Sequence, residues 1–391
     1  MMIVGVEKKL LRPAILLGVL AIFLFIPTVQ GQQTLPPPPP PWKPKPTPTP
    51  KPVEPDVIAD VIRTTSNLVM VPVSVTDQQG QAVQGLTKDD FRLLEEGKQQ
   101  EISGIGDPEQ VPLAIALLFD VSSSVGKYGF FASQQNAAAA FLKQVMKPND
   151  KAAIFTITST PNVIQSLSSA EASAAKMLTI PPAVSNVPTA FYDTVIAAAK
   201  YLTDNAPSNY RRVIVVLSDG DDNFSEQIRE SALADYEASR AQTAQGTRAG
   251  EENTKQGVQP IRGQLRNALQ QRHQQAVVTV QKAVQQADVI FYAVNPGGPS
   301  IKLNQIAMRA ERGMEAIAET TGGTAFVPDS DKDLERVFRQ VAAELRGQYL
   351  LQYYGNSDAP AGVFRKIQVG VPARNDVRVR ARQGYYPKKS D

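Results

Sequence analysis

The amino-acid sequence predicts an α/β protein with a doubly wound, mainly parallel sheet, helices on both of its faces, and a small β-sandwich formed by the two flanks. Two nearly unbroken apolar runs, Leu113–Phe119 and Val213–Leu217, are typical of strands that are buried on both faces of a parallel sheet. Strand patterns alternate with helix patterns around these runs. Toward both ends of the chain, apolar residues recur with period two, which indicates half-buried antiparallel strands.

The alternation of strand and helix patterns extends through residues 111–346. Strands are predicted at 113–120, 151–159, 163–167, 212–217, 289–294 and 325–327. Helices are predicted at 128–146, 170–178, 191–202, 277–287, 314–320 and 331–345. Ligands of such folds bind beyond the carboxyl ends of the strands, so the residues that follow those ends are the candidates for function.

The flanks 56–110 and 347–388 are predicted to form one β-sandwich, with residues 111–346 inserted between them. The strand pattern of the N-terminal flank, Leu68–Val75, contains Pro72, which predicts an edge position. The C-terminal flank has three period-two segments, at 349–354, 365–371 and 377–386. Since neither flank is long enough to bury a comfortable core alone, each is expected to need the other.

Residues 1–31 have the pattern of a targeting signal. Three basic residues precede the uncharged apolar segment Ala14–Ile26, and Val29 and Gly31 have the spacing of a cleavage site. The apolar segment is shorter than the about 20 residues of a membrane span. Cleavage after Gly31 is therefore expected, with an uncleaved membrane anchor as the alternative. In both cases the rest of the chain is expected to lie outside the cytoplasm, whether secreted, periplasmic or on the cell surface.

Two segments are predicted to lie outside the folded units. Residues 32–55 are a linker with six consecutive prolines, expected to be an extended spacer. The alternatives are a ligand for a proline-binding module or a segment that lies along a cell-wall polymer. Residues 225–275 are a polar insert in which 246–263 is expected to be disordered, with long solvated helices as the expectation for its flanks. The insert is expected to be solvated, although contact with a partner is an alternative. The only histidine, His273, is expected on the surface of this insert.

Oxygen-bearing side chains follow the two buried strands. Asp120 ends the first strand, and Ser122 and Ser124 follow at alternate positions. Asp219 comes just after the second strand, and Thr189 precedes the predicted helix at 191–202. Carboxylate and hydroxyl oxygens are hard ligands that suit Mg²⁺, Mn²⁺ or Ca²⁺. For the first three residues alone, the alternative is that they cap the next helix.

In this order, Asp-x-Ser-x-Ser, a threonine before a helix and an aspartate after a strand resemble the von Willebrand factor type A (VWA) domain. The YLLQYY strand and the GYYP ending also resemble a bacterial extracytoplasmic group of VWFA-related proteins. The resemblance implies a metal-ion-dependent adhesion site (MIDAS) made of Asp120, Ser122, Ser124, Thr189 and Asp219. It implies that these residues hold a divalent cation, expected to be Mg²⁺ with Mn²⁺ or Ca²⁺ as alternatives. An acidic residue of a partner protein would take the open coordination position.

Composition and motifs exclude several other classes. The chain has no cysteine, which excludes disulfides, thiolate zinc sites and cysteine nucleophiles. Its net charge of +3 predicts no attraction to nucleic acid, and no membrane contact beyond an uncleaved N-terminal anchor. No serine-histidine-aspartate triad, nucleophile elbow or phosphate loop can be assembled. Ser122 stands where phosphoryl-transfer proteins with an Asp-x-Asp motif have their general acid, so no enzyme is expected.

The sequence therefore predicts a secreted or surface-held, adhesion-like protein-binding module that depends on a divalent metal. The alternative is a structural or assembly protein of the cell envelope. In that case its interactions would run through the β-sandwich or the proline-rich linker without metal.

Overall fold

The computed structural model describes residues 68–122, 131–182, 187–229, 258–298, 305–330, 333–355 and 360–387, with the backbone alone for 258–266. The predicted N-terminal signal or anchor (1–31), the proline-rich linker (32–55) and residues 230–257 of the predicted insert lie outside these ranges. Among the helices in these ranges, none has both the length and the apolar character needed to span a membrane.

The described ranges contain fourteen strands and six α-helices. The strands are β1 (Leu68–Thr76), β2 (Arg92–Glu95), β3 (Lys98–Gln100), β4 (Ile102–Gly106), β5 (Leu113–Asp120), β6 (Lys151–Ile157), β7 (Asn162–Ser168), β8 (Arg211–Leu217), β9 (Val289–Val294), β10 (Ala325–Phe326), β11 (Tyr349–Tyr354), β12 (Arg365–Gly370), β13 (Arg378–Ala381) and β14 (Gly384–Tyr385). The helices are α1 (Phe131–Val145), α2 (Ala170–Met177), α3 (Phe191–Asn205), α4 (Val258–Gln286), α5 (Gln305–Thr321) and α6 (Leu334–Arg346).

A six-stranded sheet with the order β10-β9-β8-β5-β6-β7 forms the centre of the α/β unit. Its neighbouring strands are parallel except β6 and β7, which are antiparallel. All residues of β5, β8 and β9 are buried, which explains why their sequences are nearly continuous apolar runs. Because β5 and β8 are parallel neighbours, their carboxyl ends open at the same edge of the sheet.

Helices cover both faces of this sheet, and alternate residues of β5 point into the two cores. Leu113, Ile115 and Leu117 pack in a core with α1, α2 and α6. Ala114, Ala116 and Leu118 pack in the opposite core with α3, α4 and α5. The predicted doubly wound α/β architecture is therefore confirmed.

The two flanks form two antiparallel sheets with the orders β13-β1-β11-β4 and β14-β12-β2-β3. Each sheet contains strands from both flanks. One apolar core joins them, with Val71 of β1, Leu93 of β2, Leu351 of β11 and Ile367 of β12 all buried in it. The predicted sandwich built from both flanks is present.

Two strand predictions in the sandwich are wrong. β1 is not an edge strand, because it lies between β13 and β11. β11 pairs with Leu68–Val73 and β13 with Val73–Thr76, so Pro72 lies in the half of β1 that has a partner on one side only. The predicted strand at 377–386 is divided into β13 and β14, which belong to different sheets.

The C-terminal part of the predicted polar insert is helical and partly buried, whereas a solvated and partly disordered segment was predicted. α4 begins at Val258, inside the segment expected to be disordered, and continues to Gln286. His273 is only 3% exposed, and its Nδ1 lies 3.2 Å from the Tyr192 hydroxyl oxygen. Its predicted surface position is therefore wrong, because one face of this polar helix packs against α3 and α5. Burial, together with the positive charge of Arg309, lowers the pKa of His273 to about 4.

The sandwich is joined to the α/β unit by buried polar contacts. The Gln348 amide accepts a hydrogen bond from the Arg211 guanidinium at 3.0 Å and donates one to the Ser74 hydroxyl at 3.2 Å. Glu344 of α6 pairs with Arg380 of β13, with 2.7 Å between Oε2 and Nη2. These contacts connect α6 and β8 to both flanks.

Candidate metal site

Asp120 lies at the carboxyl end of β5 and is fully buried. Its Oδ1 accepts a hydrogen bond from the Ser122 backbone N–H at 2.8 Å. Its Oδ2 accepts one from the Ser218 hydroxyl at 2.5 Å. The carboxylate of Asp120 therefore lies at the edge of the sheet, and two hydrogen-bond donors fix the orientation of this carboxylate.

The environment of Asp120 disfavours its negative charge. Burial, followed by the charge of Asp219, raises the pKa of Asp120 to about 7, while hydrogen bonds from Ser218 and Ser122 act in the opposite direction. Among the described groups that perturb Asp120, none is a cation. The two carboxylates therefore leave a negative charge at this edge that a bound divalent cation would compensate.

Ser218 also lies at this site, although no role for it was predicted from the sequence. It follows β8 directly and is fully buried. Besides donating to Asp120, its hydroxyl accepts the Gly220 N–H at 3.0 Å. The position of Ser218 between an apolar strand and Asp219 could have indicated a role in the site. Its partner, Asp120, lies on β5, however, and only the folded structure shows that the two side chains meet.

Thr189 precedes α3 and is 4% exposed. Its N–H donates to the Asn223 side chain at 2.9 Å, and its carbonyl oxygen accepts the N–H groups of Asn223 and Phe224, each at 3.1 Å. These bonds hold the loop before α3 against the loop that follows Asp219. The structure thereby brings the segments of Thr189 and Asp219 together.

The acidic residues after Asp219 have separate surroundings. Asp222 is buried and accepts hydrogen bonds from the Tyr192 N–H at 2.8 Å and the Ser225 hydroxyl at 2.5 Å. The pKa of Asp222 is raised by burial, which these bonds partly offset. Asp221 is partly exposed and lies 3.8 Å from the Arg309 guanidinium. Asp222 therefore organises the loop that follows Asp219.

Four of the five candidate residues lie in the described ranges: Asp120, Ser122, Thr189 and Asp219. Ser122 is 2% exposed and bonds to Asp120. Ser124 lies outside the described residues. Across those ranges, no cluster of three or more His, Asp or Glu side chains has metal-binding spacing. The candidate site is not such a cluster, because three of its five residues carry hydroxyl groups. Hydroxyl oxygens are ligands that fit a hard cation.

Residues 115–221 match the family model of the von Willebrand factor type A domain. A comparison with curated proteins gave no match. Among solved structures, a von Willebrand factor type A protein from Catenulispora acidiphila is 10% identical, with a TM-score of 0.39 over 84% of this chain and 76% of that one. BatB from Bacteroides thetaiotaomicron is 11% identical, with a TM-score of 0.37 over 59% and 97%.

Proximal thread matrix protein 1 from the mussel byssus, in a structure with a zinc-occupied MIDAS motif, is 14% identical. Its TM-score is 0.39, over 63% of this chain and 49% of that one. The chain thus spans about half the length of the byssus protein.

The family match contains all five candidate residues. Residues 115–221 are therefore similar to a VWA domain. VWA domains are generally interaction modules rather than enzymes.

Replacing Ser218 with Ala is expected to weaken Mg²⁺ binding about 10–100-fold, because the Asp120 carboxylate loses the hydroxyl that orients it. Isothermal titration of the full-length chain with MgCl₂ checks this. Ser225→Ala is the matched control, since that hydroxyl bonds to Asp222 instead of Asp120. Equal Mg²⁺ affinity in wild type and Ser218→Ala would show that Ser218 has no part in the site.

Proposed function

We propose that this protein is a secreted or surface-held, adhesion-like module that binds a protein partner through a divalent cation. The cation would be held by Asp120, Ser122, Ser124, Thr189 and Asp219. The strongest support is the position of Asp120 and Asp219 at the carboxyl ends of the adjacent parallel strands β5 and β8, where a hydroxyl and a backbone N–H hold the Asp120 carboxylate.

The proposed roles follow from the chemistry of the side chains. The hydroxyls of Ser122, Ser124 and Thr189 are neutral oxygen donors, and the two aspartates supply the charge, partly through water. Mg²⁺ is the preferred ion because it favours oxygen ligands and retains positions for water or an incoming carboxylate. When bound, the cation would supply a positive charge that an acidic residue of the partner could neutralise.

The chain's own residues would prepare this site and limit its chemistry. The Ser218 hydroxyl and the Ser122 N–H hold the Asp120 carboxylate, while Asn223 holds the segment of Thr189. The single histidine of the chain is not available to these groups as a base, since His273 is buried against Tyr192. A binding site without catalysis is therefore proposed.

The rest of the chain is proposed to present this site outside the cytoplasm. Residues 1–31 would direct export or anchor the chain, and residues 32–55 would act as a spacer. The sandwich of 56–110 and 347–388 would support the VWA domain of 111–346.

The function is tested by capture from cell-envelope extract with the full-length chain as bait. We expect protein capture in Mg²⁺, its loss in EDTA, and its loss with the Asp120→Ala bait even in Mg²⁺. An Asp193→Ala bait is the control, because Asp193 is a carboxylate at the start of α3 that accepts the Glu226 N–H instead of facing Asp120. Capture that is identical in all arms would favour the metal-independent envelope role.

A further inference from the structure

A cavity of about 310 Å³ adjoins the candidate metal site. Its apolar wall consists of Val121, Ile164, Ile180, Pro181, Pro182 and Val187. Three threonines, Thr156, Thr158 and Thr179, add hydroxyls to the lining. The volume lies at the lower end of the about 300–1,000 Å³ typical of ligand pockets, which is suitable for one side chain of a partner.

The cavity shares its walls with the segments that carry the candidate ligands. Val121 is the residue between Asp120 and Ser122. Val187 lies two residues before Thr189, and the Thr158 carbonyl oxygen accepts the Ala190 N–H at 2.8 Å. A partner segment that reaches the metal would therefore pass beside this cavity.

One of the described residues that line the cavity is a cation. Lys176 of α2 lines the cavity and is partly exposed. Among the ion pairs between described residues, none involves Lys176. An apolar wall with an uncompensated ammonium at its rim is complementary to an aliphatic side chain in an acidic segment.

We infer that this cavity takes a leucine or isoleucine side chain of the protein partner, within a few residues of the carboxylate that binds the metal. Lys176 pairs with a second acidic group of the same segment. The inference rests on the proposed function and adds to it a partner sequence class: an acidic peptide segment with one branched aliphatic anchor. Specificity then comes from the cavity, since any exposed carboxylate satisfies the metal alone.

The test uses the full-length chain and random dodecapeptides displayed on phage, bound in Mg²⁺ and eluted with EDTA. We expect the eluted peptides to share an Asp or Glu with a Leu or Ile close by. A synthetic peptide of the selected sequence should lose about tenfold or more in affinity when that Leu or Ile is replaced by Ala. The affinity of this peptide for protein variants then shows where its Leu or Ile side chain binds.

Ile164→Asp should weaken peptide binding by a similar factor, while Val163→Asp should not. The two residues are neighbours on β7, but Val163 is 41% exposed and does not line the cavity. Lys176→Glu changes the rim of the cavity and should also weaken peptide binding. This variant tests the inference if Ile164→Asp does not fold. The Mg²⁺-induced rise in melting temperature should persist in each folded variant.

The outcomes separate the two claims. If EDTA elutes no enriched peptide, the proposed metal-dependent function is contradicted. If it elutes acidic peptides without an aliphatic preference, and Lys176→Glu binds them as the wild type does, the cavity inference is wrong while the function stands.

Discussion

Replacing Asp120 with Ala is expected to weaken Mg²⁺ binding by at least about 100-fold and to abolish metal-dependent partner capture, while the fold remains intact. Asp120 is one of two carboxylates at this edge, and the remaining proposed donors are neutral hydroxyls. Mg²⁺ gives up water reluctantly and needs anionic ligands or neighbours. The loss should therefore be much larger than the loss on removing the orienting hydroxyl of Ser218.

In the metal-free protein, removing the negative charge of Asp120 should stabilise the fold, whereas it weakens Mg²⁺ binding. Burial and Asp219 disfavour the Asp120 carboxylate, so removing its charge relieves an unfavourable interaction. Asp120→Ala also leaves the Ser218 hydroxyl and the Ser122 N–H without their acceptor, which offsets the gain. Asp120→Asn retains an acceptor without the charge, and should be at least as stable as the wild type in EDTA at neutral pH.

Thermal melts in EDTA and in excess Mg²⁺ measure both effects. Mg²⁺ at 100 times its dissociation constant should stabilise the wild type by about 2.7 kcal/mol and leave both Asp120 variants unchanged. Asp193→Ala should lose about 0.3–1 kcal/mol from the α3 terminus but keep the Mg²⁺ effect. If Asp120→Ala lost about 0.5–2 kcal/mol in EDTA and kept the Mg²⁺ effect, Asp120 would be an ordinary helix cap.

Ending the chain after Arg346 is expected to unfold the N-terminal flank. The deletion removes β11, which lies between β1 and β4, and β12, which pairs with β2. It also removes Leu351, Tyr353 and Ile367 from the shared core. Burying each such side chain contributes about 1.5–3 kcal/mol, so the loss of the three is comparable with the about 5–15 kcal/mol that stabilises a whole domain.

Hydrogen exchange of the shortened chain measures this result directly. Amides of β1 and β4 should lose protection, while those of β5 and β8 keep it, because a fragment of 106–346 retains all six strands of the central sheet. A fragment of 56–105 should show no cooperative unfolding transition. If it did unfold cooperatively, the shared sandwich would not be the stabilising unit.

The sequence predicted the central sheet well because burial on both faces leaves a local signature. The strands at 113–120 and 289–294 have the predicted bounds, since their apolar runs end where polar loops begin. The candidate site was also predictable, because its aspartates follow two such strands. Whether those residues form a metal site remains a prediction.

The failures share a physical cause: each depends on a partner that is distant in sequence. Pro72 predicts an edge strand, yet β13 joins the other half of β1. His273 lies in a polar sequence, yet helix packing buries it against Tyr192. Ser218 has a recognisable position, but its role is defined by Asp120, 98 residues earlier.

The most direct test of the central claim is anomalous scattering from crystals of the full-length chain grown with MnCl₂. The proposed function predicts one strong peak at the carboxyl ends of β5 and β8, about 2.0–2.6 Å from hydroxyl oxygens of Ser122, Ser124 and Thr189. The Asp120→Ala crystal should lack it. A wild-type crystal with Mn²⁺ bound elsewhere and none at this edge would contradict the metal-dependent site.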